Sequence, residues 1–87
     1  MRFSDVFVSR EDRFSIGTEL DSGRHYVALP VSNGVVDYEE YYEISPQQSE
    51  VFLSDRSAAL DFADACRRRL HDDLLIEKPG TNRGTPV

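Results

Sequence analysis

A chain of 87 residues, 39% hydrophobic and 30% charged with no tryptophan, is long enough for one small domain, and its composition suits a globular fold better than disorder. Ten Lys and Arg against sixteen Asp and Glu give a net charge of -6, which repels phosphate backbones over most of the surface and argues against nucleic acid as a partner. The same field attracts a basic protein, and no stretch approaches the ~18 consecutive apolar residues of a membrane span.

The first dozen residues, "MRFSDVFVSRED", carry acids where a signal peptide needs an apolar run, so a cytoplasmic location is expected. Phe3, Val6, Phe7 and Val8 follow no clean period, and a short strand or a partly ordered arm fits equally well. From Arg13 the pattern sharpens. Phe14, Ile16 and Leu20 share one parity with Ser15, Gly17 and Glu19 between them, the period of a half-buried strand. "DSGR" turns the chain, and "HYVALPV", His25 to Val31, is β-branched and aromatic enough for a second strand. "NG" then signals a two-residue hairpin, and a third strand runs from Val35 to about Ile44.

Taking Asn33–Gly34 as the loop sets Val31 against Val36, Leu29 against Tyr38, Val27 against Glu40 and His25 against Tyr42. Taking Ser22–Gly23 as the other loop sets Leu20 against His25 and Ile16 against Leu29. Both registers put the apolar set on one face. The opposite face then carries Tyr26, Asp37, Glu39, Tyr41 and an Arg24/Glu43 pair, with Tyr26 facing Tyr41. Pro30 conflicts with a central strand, since it has no N–H for a ladder. Three resolutions stand open: a first strand that stops short of it, a bulge, or a non-sequential strand order.

Ser45, Pro46 and Gln48 spell a capping box that starts a short helix running to about Leu53. Ser54 or Asp55 caps a longer one reaching about His71, with Ala59, Phe62, Ala63, Cys66 and Leu70 as its apolar stripe. Asp64 before Arg68, and Arg68 and Arg69 before Asp72 and Asp73, make Arg67 to Arg69 a solvated, neutralised face. The single thiol, Cys66, is expected buried and inert. Leu74 to Glu77 is a last strand or a helix tail, and "KPGTNRGTPV" has the composition of a disordered segment. The expected organisation is one α+β domain over residues 1–78 with a disordered tail at 79–87. Its sheet is a three-stranded antiparallel meander, extendable to four strands, covered on one face by the two helices.

The block "SGRHYVALPVSNGVVDYEEYYEIS", with the later "FADACRRRLHDDLLI", resembles a small bacterial α+β family of unassigned function. The resemblance spans Arg13 to about Lys78 and implies a stand-alone α+β domain; it transfers no catalytic residue.

Catalytic chemistry finds little support. His25 and His71 have no metal-ligand spacing, and a set of Ser32, His25 and Asp37 lacks a nucleophile elbow, so no enzyme activity, metal or cofactor is expected. The leading expectation is a non-catalytic protein-interaction module that uses the acidic face of Tyr26, Asp37, Glu39, Tyr41 and Glu43 toward a basic protein, with a homodimer by strand-edge pairing as a further possibility. A sharper form is an immunity or antitoxin-type inhibitor of a basic toxin. The competing reading is a small-ligand pocket around Glu40, His25 and Tyr42. Glu40, on the apolar face, needs a partner there, and His25, Arg67 and Arg69 are the candidates.

Overall fold

A computed structural model describes residues 1–87. In chain order the elements are β1 (Phe3–Ser9), β2 (Phe14–Glu19), β3 (His25–Ser32), β4 (Asp37–Ile44), α1 (Pro46–Ser54), α2 (Arg56–Arg67), a 3-10 turn at Asp72–Leu74, and β5 (Thr85–Pro86). The fold is α+β: four antiparallel strands in sequential order, with β5 added to β3 and both helices after the sheet. No helix is long and apolar enough to cross a membrane.

Alternation does what the pattern demands. Ile16, Val27, Leu29 and Tyr42 leave the sheet on the helix side and are fully buried, and Ala59, Ala63 and Cys66 of α2 meet them. The small side chains at Ala59 and Ala63 let the helix approach the sheet closely. Ser45 and Gln48 form the capping box in both directions, with the Gln48 N–H donating to Ser45 Oγ at 3.0 Å and the Ser45 N–H donating to Gln48 Oε1 at 2.9 Å. Asp55 caps α2 by accepting the Ala58 N–H. That helix stops at Arg67 instead of running to His71. Arg69 takes a left-handed conformation (φ 60°), and Leu70 falls out of the apolar stripe to become exposed.

Both hairpins close two residues away from the expected registers. In β3–β4, Val27 pairs with Tyr42 and Leu29 with Glu40, which leaves Gly34 and Val35 as the turn. A type I′ turn on Asn33–Gly34 would need positive φ at both residues, whereas only Gly34 has it (φ 87°). Asn33 instead turns its side-chain oxygen to the N–H groups of Val35 and Val36. In β2–β3, Ile16 pairs with Val27 and Thr18 with His25. The Glu19 N–H donates to the Arg24 carbonyl across a loop of Leu20 to Gly23, so Leu20, expected in the core, is exposed. The Glu19 carboxylate holds this wider loop. It accepts the N–H groups of Asp21 and Ser22, the Ser22 hydroxyl, and the N–H of Arg2.

The Pro30 conflict resolves by the first of the three routes. The ladder of β2 with β3 ends at Ser15 opposite Ala28, so the edge of Pro30 that lacks an N–H never faces β2. Its carbonyl, on that same edge, accepts the N–H of Val87 instead.

One segment resolves a reading left open, and another departs from expectation. The N-terminal arm is a strand, and its irregular pattern has a cause: a bulge between Asp5 and Phe7 turns Phe3 and Asp5 to the outer face and Phe7 to the core. The C-terminal segment, expected to be disordered, returns to the sheet, with Ser32 pairing with Thr85 and Val31 with Pro86. The edge of β4 is also partly closed, since Ile76 donates to the Tyr41 carbonyl and Leu75 bridges Tyr42.

Candidate functional site

Glu40 lies where parity put it, on the helix-side face, and it is buried with only 7% of its side chain exposed. Its partner is Arg83, from the tail; His25 lies opposite Ile44, well along β3 from the Leu29 position that faces Glu40. Arg83 Nε donates to Glu40 Oε2 at 2.7 Å and Nη2 to Oε1 at 3.1 Å. The same guanidinium grips Asp72, with Nη1 to Oδ2 at 2.8 Å and Nη2 to Oδ1 at 2.9 Å. A planar fork that meets two carboxylates is the geometry for which arginine is suited and lysine is not.

Tyr42 completes the group by donating its hydroxyl to Glu40 Oε1 at 3.0 Å. Burial, and then Glu40 as acceptor, raise the Tyr42 phenol well above its usual range and keep it a donor. Arg83 holds the Asp72 carboxyl below its ordinary value. Gly84 ties the segment further, its N–H donating to Tyr38 Oη at 2.7 Å.

The other expected partners of Glu40 are engaged elsewhere. Arg67 donates to the Asp12 and Arg13 carbonyls and to Asp64, and thereby holds the loop between β1 and β2 against α2. Arg56 reinforces that contact through Ser9, Glu11 and Asp12. Arg69 reaches the Gly84 carbonyl. Arg67 therefore belongs to a half-buried contact with that loop, while Arg68 and Arg69 remain exposed. A surface cleft of about 390 Å³ lies between Tyr38–Tyr41 and residues 77–82 and touches Glu40, but both carboxylate oxygens are already occupied. His71 stacks on Phe62 with ring centroids 4.9 Å apart, and no cluster of three or more His, Cys, Asp or Glu side chains assembles.

The outer face of the sheet differs from its expected form. Tyr26, placed by parity on a solvated face, is fully buried. The cause is the cover supplied by Phe3 and Asp5 of β1 and by Tyr41, with the Tyr26 ring lying over Gly17, where a Cβ would overlap the Ser4 carbonyl and the Tyr26 hydroxyl. Tyr26 Oη donates to Asp5 Oδ1 at 2.6 Å, and burial together with that carboxylate raises its phenol strongly. Phe3 stacks on Tyr41 at 3.6 Å and meets Tyr26 edge-on at 5.5 Å. Tyr26 and Tyr41 are diagonal neighbours rather than an opposed pair, yet their rings still meet edge to face at 5.0 Å.

Tyr41 is consequently half-buried and fixed by two aromatic neighbours, while Asp37, Glu39 and Glu43 remain exposed around it. Arg24 lies 3.9 Å from Glu43, a pair with both side chains about half exposed. Asp37 and Glu39 have no cationic partner within 4.0 Å. Burial, and then the nearby Asp5 charge, raise the Glu39 carboxyl above its ordinary value.

Two features of this site carry no local sequence signal, the Arg83 clamp and the cover supplied by Phe3 and Asp5. A search for cations able to reach the buried Glu40 would have included Arg83, since such a carboxylate needs one. No protein-family model, curated protein or solved structure matches the chain.

Proposed function

We propose that the chain is a non-catalytic interaction module whose outer β4 face, Asp37, Glu39, Tyr41 and Glu43 with Asp5 beside them, receives a basic segment of a partner protein. The observation that carries this reading is the uncompensated pair of Asp5 and Glu39 next to a rigidly packed tyrosine. Burial, and then the Asp5 charge, raise the Glu39 carboxyl, and neither carboxylate has a cation within 4.0 Å. An arginine or lysine delivered by a partner removes that repulsion, and Tyr41 adds contact area without ordering cost because Phe3 and Tyr26 already hold its ring. Perturbed, unpaired groups beside a fixed aromatic are common at binding sites and uncommon on inert sheet faces.

The test is affinity capture at low salt, followed by measurement of the recovered partner against variants. Tyr41→Ala and Glu39→Gln should each weaken binding by about tenfold or more, a hot-spot loss of ~1.4 kcal/mol. Glu50→Gln and Asp61→Gln, which change net charge equally on the helices, should leave it nearly unchanged. Equal losses from the three carboxyl variants, with none from Tyr41→Ala, would reduce the effect to net charge and refute a defined face. Affinity should also fall steeply with salt.

A further inference from the structure

The outer face also contains an open cleft of about 330 Å³ that lies toward the loop between β1 and β2. It exists because the sheet parts there. The ladder of β2 with β3 ends at Ser15 opposite Ala28, and past that point Val8 of β1 and Pro30 of β3 form the apolar walls, with Phe14 and Ser15 of β2 between them. Its charges divide into two poles, Asp5 and Glu39 at one and Arg10 and Arg13 at the other, and none of the four enters a salt bridge. Acids and bases that line one cavity without touching leave both signs available to something between them.

Ser15 supplies an independent indication. It lines the same cavity from the outer-face parity of β2, it is 3% exposed, and its Oγ is the one buried side-chain oxygen with no hydrogen-bond partner. An orphaned hydroxyl in the interior costs ~1–3 kcal/mol unless something polar meets it. An unpartnered serine hydroxyl beside two unneutralised charge pairs has the character of a binding element more than of a packing element. The volume lies at the small end of the ~300–1,000 Å³ typical of small-molecule sites.

We infer that this cavity binds a small zwitterion, a primary amine and a carboxylate joined by a short aliphatic stem. The amine lies against Asp5 and Glu39, the stem crosses Val8 and Pro30, and the carboxylate meets Arg10 and Arg13 with the Ser15 hydroxyl as a neutral donor. ω-Amino acids are the chemical class. Asp5 and Glu39 are shared with the proposed protein-binding face, but Arg10, Arg13 and Ser15 lie outside it, so the two readings can fail separately.

The experiment is a titration of the whole chain, followed by amide NMR shifts, with three probes: 6-aminohexanoate, hexylamine and hexanoate. The zwitterion should give saturable shifts at Asp5, Val8, Ser15 and Glu39, and each single-charge probe should bind at least about tenfold more weakly. Arg10→Gln with Arg13→Gln should weaken 6-aminohexanoate by about tenfold while leaving partner capture through Tyr41 intact. Ser15→Ala should fold, gain stability, and bind more weakly. No saturable shift with the zwitterion, or hexylamine binding as tightly as 6-aminohexanoate, overturns the inference.

Discussion

Arg83→Met removes one guanidinium and, with it, both bonds to Glu40 and both bonds to Asp72. The two halves are not equal. The Glu40 pair is 7% and 13% exposed, so its loss strands a carboxylate in the interior, for which ~3–5 kcal/mol is the usual cost. Asp72 is 41% exposed and returns to water, a loss of ~0–1 kcal/mol. Tyr42 continues to donate to Glu40, which argues for the low end, about 3 kcal/mol in total. A chain of this length holds roughly 4–13 kcal/mol of stability, so the variant should remain folded with its melting temperature lowered by about 12–24 °C. Urea unfolding followed by circular dichroism measures the change, and Glu40→Gln with Arg83→Met closes the cycle. The double variant has no stranded charge and should recover about 2 kcal/mol relative to Arg83→Met. A loss below ~1 kcal/mol for Arg83→Met, or strict additivity in the cycle, would mean that Glu40 does not depend on Arg83.

Gly17→Ala places a methyl group against the Ser4 carbonyl and the Tyr26 hydroxyl; lifting β1 should cost about 3 kcal/mol and raise amide exchange along residues 3–6, and a neutral result would refute the close crossing. The Ser22 hydroxyl first, then the N–H groups of Arg2, Asp21 and Ser22, hold the Glu19 carboxyl down to about 2. A depressed carboxyl contributes stability above its ordinary value of 4.5 that is lost as pH falls toward 2, so unfolding experiments stepped through that window should show a decline that Glu19→Gln flattens. Burial pushes the Cys66 thiol up to about 12 against the opposing pull of Arg67; iodoacetamide labelling near neutral pH should therefore track global unfolding, and rapid labelling of the native protein would show that α2 does not cover it.

The helix starts were legible because their signals are local. Ser45, Pro46 and Gln48 lie within four residues of one another and need no tertiary partner to declare a start. The end of α2 was not, because Arg69 in a left-handed conformation is a tertiary choice made by a residue with good helix propensity. The tail shows the limit of composition. Its glycines and prolines lack apolar anchors, yet one arginine whose acceptor lies 43 residues away is enough to fasten it, and β5 follows from that attachment. Phe3 and Phe7 had no readable period because a bulge between Asp5 and Phe7 changes parity midway through the strand.

Both hairpins moved by two residues, and that even number explains which expectations survived. Burial dictates parity, since a slip of one residue would send Val27, Leu29 and Ile16 to the outer face and lose their contact with α2. A slip of two costs nothing on that account and is decided by turn chemistry alone, here the side chain of Asn33 in one loop and that of Glu19 in the other. Statements about faces therefore follow from alternation, while statements about opposed pairs need the turn. Glu40 kept its buried face although its opposite residue changed from Val27 to Leu29. Whether a face is wet is a third and separate matter, fixed by what lies above it. Tyr26 occupies the face its parity assigned and is nevertheless fully buried, because Gly17 leaves room for its ring, Phe3 and Tyr41 pack on it, and Asp5 gives its hydroxyl a partner.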